Sequence, residues 1–397
     1  MTEPRTAPEV SIVVIGWRDA PALLGCLGAL AATPPTVSHE VVVTLNEPTP
    51  ALLAALAAAP ELYDALTHSP VNRGYAAAND AGAAVTTGRA LLFLNDDARV
   101  APGWLEPLVS RFEEDSTIGA VASVLVDEDG NLVEAGCYLY ADGRQMVLVG
   151  DQTPAGVTAG PVLYASGAAL LVRRGAFEAV GGFDPGYFPA YFEDADLAMK
   201  LAGQGLTTWL EPASQVVHHH DPSEDRHYAR YLCDRNRERF LERWPVASSH
   251  FLDRPAELTP EHLAMAATRS REIATQLAGT RAQAVPAIPD EQLPSDAVLQ
   301  GLEVTIFHDY VRSLTDLLAA CEERIAELER REVVLQLLVA ERDETLEGFA
   351  GLRSALAERE AALAATQAEL DAYRHRKVIQ VTDRASSLLG RRSGPAG

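Results

Sequence analysis

"LLFLNDDARV", Leu91–Val100, decides how the chain is read. A continuous apolar run stops at Asn95, Asp96 and Asp97, the pattern of a strand buried on both faces that ends in polar side chains. An unpartnered buried carboxylate costs several kcal/mol, so a cation belongs near that strand end. Working outward, "EVSIVVIG" (Glu9–Gly16) is another run of strand type. Asp19-Ala20-Pro21 after it is a cap-plus-proline signal that opens a helix through Ala32. "EVVVTLN" (Glu40–Asn46) predicts a second strand, Pro50 a second helix and Arg89–Asn95 a further strand. Such alternation predicts a largely parallel sheet covered by helices, and ligands of these sheets bind outside the carboxyl ends of strands. The three polar residues stand at such an end.

The composition narrows the function classes. The chain has 397 residues, 47% of them hydrophobic, with no apolar run of about 18 residues, so a sizeable core and no membrane span are expected. Acid and proline near the start, where a signal peptide needs positive charge, predict a cytoplasmic protein. The four cysteines, Cys26, Cys137, Cys233 and Cys321, form no C-x-x-C pair and read as reduced thiols. A formal charge of −23 excludes a nonspecific grip on nucleic acid. It also means that an anionic ligand needs a bound metal or a helix N-terminus to draw it in.

Composition shifts divide the chain. Residues 1–250 read as an α/β domain, 251–300 as a proline-containing linker around a short helix at Pro260–Leu277, 301–376 as a helical or coiled-coil extension, and 377–397 as a basic, flexible tail. In the extension, Leu314, Cys321, Leu328, Leu335, Arg342, Phe349, Leu356, Leu363 and Leu370 recur every seven residues. Charged residues in the lanes, Arg342, Glu332, Arg353 and Glu360, leave two readings open: self-association into a homo-oligomer, or an arm folded back on its own domain.

Two further stretches add chemistry. "GYFPAYFEDADLAMKLAGQG" (Gly186–Gly205) puts Glu193 and Asp194 at a helix N-terminus, either as ordinary first-turn acids favoured by the dipole or as a general base. "VVHHHDPSEDR" delivers His218, His219 and His220 on a strand. Carboxylate and imidazole from two strand ends suit Mn²⁺ or Mg²⁺ completed by phosphate oxygens, and the ligand expected is a diphosphate. No Ser-His-Asp order, reactive-cysteine context or G-x-x-x-x-G-K-[ST] competes.

The ordered set "VSIVVIGW", "NRGYAAANDAG", "ALLFLNDDARVAPGWLEPLV", "YASGAALLVRRGAFEAVGGFDPGYFPAYFEDADLAMKLAGQG", "EPASQVVHHHDPS" and "RNRERFLERWP" resembles the inverting nucleotide-sugar glycosyltransferases of family 2, in particular the bacterial rhamnosyltransferase-like branch. The resemblance covers about Glu9 to Pro245. It implies the GT-A fold, a Rossmann-like, mostly parallel mixed sheet flanked by helices, here with a helical extension. It also implies transfer from a dTDP-rhamnose or UDP-hexose type donor to a glycan or lipid-linked glycan acceptor in surface polysaccharide synthesis. The place of work implied is the cytoplasm, with the inner face of the membrane as an option.

Residue by residue, Asn95-Asp96-Asp97 is similar to the family's D-x-D, with Asn95 standing where many relatives have Asp. That assigns Asp97, aided by His218, to the metal, and Asn95 and Asp96 to the donor. His218 matches the H-x-x-G-x-S register, with Asp221 replacing Gly and Ser223 retained. Glu193-Asp194 matches the E-D motif, whose Asp is similar to the base. Asn72, Gly74, Tyr75, Asn79 and Gly82 reproduce N-x-G-[FY]-x-x-x-N-x-G along the donor site, and Ser166-Gly167 resembles the segment under the acceptor. Relatives usually end the first strand with Thr-Tyr-Asn and the second with Asp-Asn, where this chain has Gly16-Trp17-Arg18 and Leu45-Asn46. Trp17 would then stack on a base, Arg18 reach a phosphate and Asn46 face the donor, or Trp17 and Arg18 are surface side chains. These departures also motivate the rival reading, a non-catalytic GT-A scaffold that presents a coiled coil in a polysaccharide-assembly complex.

Overall fold

A computed structural model of the chain describes residues 7–148, 154–219, 226–255, 259–282, 296–345 and 359–372. Its first strands are β1 (Val10–Gly16), β2 (His39–Asn46), β3 (Ala65–Ser69), β4 (Ala90–Asn95), β5 (Ala98–Val100) and β6 (Ile118–Val126). Then follow β7 (Leu132–Glu134), β8 (Cys137–Leu139), β9 (Gln145–Val147), β10 (Gly160–Val162), β11 (Ala169–Arg173) and β12 (Thr207–His218). The helices between and after them are α1 (Ala20–Ala32), α2 (Pro50–Ala57), α3 (Gly74–Ala84), α4 (Leu105–Glu114), α5 (Arg174–Ala179) and α6 (Glu193–Gly203). The last are α7 (Arg226–Arg243), α8 (Pro245–Ser248), α9 (Pro260–Gln276) and α10 (Asp296–Thr345). As the sequence predicts, α1 starts on an Asp19 cap whose carboxylate accepts from the Ala22 amide at 2.9 Å, with proline in the first turn.

The apolar runs build a mixed sheet in the order β10-β12-β6-β11-β4-β1-β2-β3, flanked by helices. Neighbours from β4 to β3 are parallel, as are β6 and β12, while β11 lies antiparallel between β4 and β6. That insertion brings the start of β11 beside the carboxyl end of β4, where the Asn95 amide donates to the Ala168 carbonyl at 3.1 Å. The chain then turns through Asp96 and Asp97 into β5, which pairs with the end of β12 so that Ala98 faces His218. Two strand ends and a loop meet there for topological reasons, before any side chain is considered.

Alternate residues of β1 go to opposite faces, as the period of two requires. Ile12 and Val14 pack with Leu23 and Leu27 of α1 and Leu105 and Leu108 of α4, while Val13 joins Ala76 and Ala83 of α3 and the rings of Phe93, Phe177 and Phe183. Each fully buried large aliphatic side chain contributes about 1.5–3 kcal/mol. A third cluster gathers Tyr187, Phe192, Phe240 and Trp244 with Ala266, Ile273 and Leu277. The helix expected inside a linker is therefore packed into a core. Ala266, Ile273 and Leu277 fall on one face at helical spacing, a stripe that the flanking prolines obscured.

The chain divides into two compact units, Met1–Glu303 and Val304–Gly397. In the second, α10 carries the heptad positions from Leu314 to Arg342, and Leu363 and Leu370 fall on a helix at 359–372. Phe349, Leu356 and the basic tail lie outside the described residues. The Gln367 amide donates to the Glu332 carboxylate, so these two helices meet within one chain. Among the described residues no helix is long and apolar enough to cross a membrane.

A buried charge cluster locks the third core. Asp196, fully buried, accepts from Arg243 Nε and Trp244 Nε1, both at 2.7 Å, and lies 3.2 Å from Lys200 Nζ. Asp184 pairs with Arg239 at 3.0 Å and Arg243 at 3.5 Å. Removing one partner of such a cluster leaves buried guanidinium and indole N–H groups without an acceptor, which costs about 3–5 kcal/mol. Asp196→Ala is expected to lower unfolding free energy in urea by that amount; a loss under about 1 kcal/mol would show that the cluster is not what holds α7 to α6.

Candidate active site

The site is assembled from the end of β4 outward. His218 Nε2 lies 3.2 Å from Asp97 Oδ1 and 3.4 Å from Asn95 Nδ2, because the β5–β12 pairing carries the imidazole to the turn. Asn95 Oδ1 and Asp97 Oδ1 are buried acceptors that take no hydrogen bond. Buried polar atoms are almost always paired. A carboxylate oxygen beside an imidazole, with an asparagine side chain against the same imidazole, is a donor set that fits a divalent cation of the Mn²⁺ or Mg²⁺ type. No three His, Cys, Asp or Glu side chains form a ready-made cage among the described residues, and magnesium-type ions commonly take one or two protein carboxylates with substrate phosphates completing the shell.

Strand alternation separates the histidines. His219 points the other way, with Nδ1 2.8 Å from Glu128, while its amide donates to the Asp97 carbonyl at 3.2 Å. His220, Asp221 and Ser223 lie outside the described residues. Asp96 accepts the Trp17 amide at 3.4 Å; burial first, and then the adjacent Asp97 charge, push its carboxyl up to about 7. The Trp17 ring is exposed with the Arg18 guanidinium 4.8 Å above it, and Arg18 pairs with Glu47 at 2.5 Å. Both side chains thus stand at the rim beside Asp96, stacked on each other.

The asparagines predicted at the donor form a bracing chain. Asn46 Oδ1 accepts the Arg73 amide at 2.7 Å and its Nδ2 donates to Asn72 Oδ1 at 2.8 Å. Asn72 Oδ1 also accepts the Gly74 amide at 2.9 Å, while its Nδ2 donates to Glu303 at 3.1 Å. Asn79 is buried, its Nδ2 donating to the Tyr75 carbonyl at 3.1 Å. Gly74 has φ +76°, and a Cβ there would sit 2.8 Å from the Pro189 carbonyl, so this position needs glycine. The next residue, Tyr75, is a tie: its amide donates to Pro189 O at 2.7 Å and its hydroxyl to Gly167 O at 2.8 Å. A Cβ on Gly167 would collide with that hydroxyl. The 72–75 loop, the Ser166-Gly167 segment and the loop before Glu193 are joined through this one residue, by its backbone amide and its hydroxyl.

Helix α6 starts at Glu193 after Tyr191 and Phe192, whose φ values of 78° and 76° are left-handed. Each such non-glycine residue costs roughly 1–3 kcal/mol and persists only where its surroundings over-determine it. Asn236 Nδ2 does so, reaching the carbonyls of Tyr187 and Ala190 at 2.9 Å and Tyr191 at 3.0 Å, with Arg235 on Phe188 O at 3.0 Å. Burial raises the Glu193 carboxyl well above the carboxylate range, and the Asp194 charge adds to it. Burial also raises Asp194, to about 7; the Ala195 amide at 2.7 Å opposes this and the Glu134 charge reinforces it. An Asp held in this way is a proton acceptor matched to neutral pH.

Glu134 was not anticipated. Its Oε1 accepts the Ser166 amide at 2.8 Å, and burial raises its own carboxyl. Nothing in "NLVEAGC" marks it, since apart from Cys137 the groups that act on it or feel its charge, Ser166, Asp194 and His218, lie far along the chain. Asn236 lies inside the quoted "RNRERFLERWP", yet its bracing role depends on a loop more than 40 residues away.

Among known proteins, the Glycosyl transferase family 2 model matches residues 11–181. The chain is 31% identical over 236 residues to the O-antigen biosynthesis protein RfbC of Myxococcus xanthus, covering 55% of this chain and 18% of that protein. It is 30% identical over 172 residues to the N-acetylglucosaminyl-diphospho-decaprenol L-rhamnosyltransferase of Mycobacterium tuberculosis, covering 38% of this chain and 53% of that one. It thus spans less than a fifth of the first relative and about half of the second. Among solved structures, the mannosyltransferase PcManGT from Pyrobaculum calidifontis, in complex with GDP-Man and Mn²⁺, aligns with TM-score 0.44 and 19% identity over 79% of this chain and 85% of that one.

The raised carboxyls make stability depend on pH with a defined sign. Asp96 and Asp194 bind protons more tightly folded than unfolded, so between about pH 4 and 7 the folded state holds more protons and stability falls as pH rises. Thermal melts should therefore show Asp96→Asn flattening the native decline from pH 5 to 8 by about 1 kcal/mol, roughly 1–2 °C at this size. Identical slopes in the two proteins would contradict the burial of that charge.

Proposed function

Because residues 11–181 are a Glycosyl transferase family 2 domain, we propose that the chain is a metal-dependent inverting glycosyltransferase. Its donor is a nucleotide-diphosphate sugar of dTDP-rhamnose or UDP-hexose type, and its acceptor is a hydroxyl of a glycan or lipid-linked glycan in bacterial surface polysaccharide synthesis, handled on the cytoplasmic side of the membrane. One observation carries the reading: the buried Asp97 Oδ1 and the Asn95 side-chain amide meet the His218 imidazole at the end of β4, and the Tyr75 tie joins that side of the site to the loop that leads into a proton-avid Asp194. The rhamnosyltransferase relative and the O-antigen protein support the donor and pathway class.

Asp97, His218 and Asn95 Oδ1 would hold the ion. A divalent cation there supplies charge to the departing diphosphate. Asp194 takes the proton of the acceptor hydroxyl as its oxygen forms a bond to the anomeric carbon; the bond from that carbon to the diphosphate breaks on the opposite face, and nucleoside diphosphate leaves. Glu193, with the higher proton affinity, stays neutral beside it, so the pair is not two adjacent buried charges. Burial, with the Glu134 carboxylate adding to it, keeps Asp194 basic enough to act. A site drifting toward a scaffold role would be expected to shed its acids, and Asp97, Glu193 and Asp194 are all retained. Self-association through α10 belongs to the same proposal, on the strength of its seven-residue lane.

Asp194→Asn keeps size and removes the acceptor of the proton. Transfer should fall by at least about 10²-fold while binding of nucleoside diphosphate survives. In the native protein the rate should rise with pH to half its maximum near 7, because only the ionised Asp194 accepts the proton. Native-rate transfer by D194N would refute the assignment. For assembly, light scattering on the full chain should give at least twice the chain mass; a monomer would assign the heptads to the helix pair within one chain.

A further inference from the structure

A cavity of about 550 Å³ is lined by the β8–β9 hairpin and α7, on the α7 side of Glu193-Asp194. Tyr140, Met146 and Phe192 give it an apolar floor, and Arg144, Arg230, Arg237 and Arg254 line it with four guanidinium groups. Asp234 is the acid among the described lining residues, so the lining carries a net charge of about +3 in a chain of −23. The ion pairs of three of these arginines are long: Arg230 and Arg237 stand 4.0 and 3.8 Å from Asp234, and Arg144 is 3.6 Å from Asp142. Charge-assisted N–H to carboxylate bonds run near 2.7–2.9 Å, so these contacts leave donors for a ligand. Arg237 Nε is itself a buried donor with no hydrogen bond.

Position adds to charge. Phe192 on the floor is the residue before Glu193, and the lining Cys233 lies within the fields of both Asp194 and Glu193. The cation-fitting acceptors at Asn95 and Asp97 belong to the β4 end of the site instead. Planar guanidinium forks over an apolar floor match a phosphoryl oxygen array attached to a sugar or prenyl chain. We propose that this cavity seats a phosphate or diphosphate ester carried by the acceptor, so that the accepting hydroxyl is presented to Asp194. The proposal rests on the glycosyltransferase reading and extends it: the acceptor is anionic, bound by protein guanidinium groups without a metal, at a subsite separate from the donor diphosphate.

The test titrates inorganic pyrophosphate into the full chain in EDTA by calorimetry, for the native protein and for Arg230→Gln/Arg254→Gln, two exposed positions at which the fold is kept. One pyrophosphate per chain should bind the native protein, and the double variant should lose at least tenfold in affinity. Both proteins should bind nucleoside diphosphate with Mn²⁺ equally. No pyrophosphate binding by the native protein, or equal affinity in the variant, overturns the proposal. If the native protein binds pyrophosphate in EDTA but no nucleoside diphosphate with Mn²⁺, the glycosyltransferase reading fails while the anion site stands. Two further arms identify the source: a soluble sugar 1-phosphate that matches pyrophosphate assigns a free phosphorylated acceptor, and a prenyl-diphosphate sugar that binds more tightly assigns a lipid-linked one. Either ligand should lose affinity in the double variant.

Discussion

The antiparallel seat of β11 between β4 and β6 is the constraint on which the rest of the structure depends. It ends the parallel run at β4 and places residues 166–168 against Asn95, so the carboxyl end of β4 opens onto a loop from the other half of the sheet. The short β5 then ties the Asp96-Asp97 turn to the end of β12 and fixes His218. With those two pairings made, the backbone of the Asp96-Asp97 turn is fixed and Asp97 Oδ1 is held beside His218. The fold thus brings a carboxylate oxygen and an imidazole together at one strand end, and the cation proposed there would serve the chemistry proposed for the chain.

Much of the first unit can be understood as support for this arrangement. Left-handed backbone at Tyr191 and Phe192 and the raised carboxyls of Asp96, Glu193 and Asp194 all cost folding free energy. They are offset by rigid neighbours: Asn236 on three carbonyls, Asp184 and Asp196 on Arg239, Arg243 and Trp244, and a chain of asparagines from Asn46 to Asn72. Sites made of closely placed acids are commonly stabilised elsewhere in this way. Tyr75 adds cohesion of another kind, since this one residue ties the 72–75 loop to Gly167 through its hydroxyl and to Pro189 through its amide.

The elements that position the site were legible because they are written in local signals. Apolar runs marked β1, β2 and β4, a cap with proline marked α1, and first-turn acids marked α6. The meeting of Asp97 with His218 was legible only as a pattern of strand ends, and which histidine turns inward needed the register of β12. What sequence could not show were contacts made by topology alone. Glu134 has no motif, and its importance comes from the Ser166 amide and the field it exerts on Asp194. Asn46 and Asn79 are buried, and their bonds to the Arg73 amide and the Tyr75 carbonyl became visible only in the fold. The α9 helix reads as linker because prolines flank it, while its buried stripe becomes visible only against the hydrophobic face that it covers.

The central claim is that the end of β4 holds a diphosphate through a divalent ion. Isothermal titration of UDP and of dTDP into the full chain, with Mn²⁺ or with EDTA, on the native protein and on Asp97→Asn, tests it most directly. The account predicts that at least one nucleotide binds the native protein with Mn²⁺, and that EDTA or D97N each weakens that binding by at least about tenfold, worth 1.4 kcal/mol. Equal affinity with and without metal, or in D97N, would contradict it.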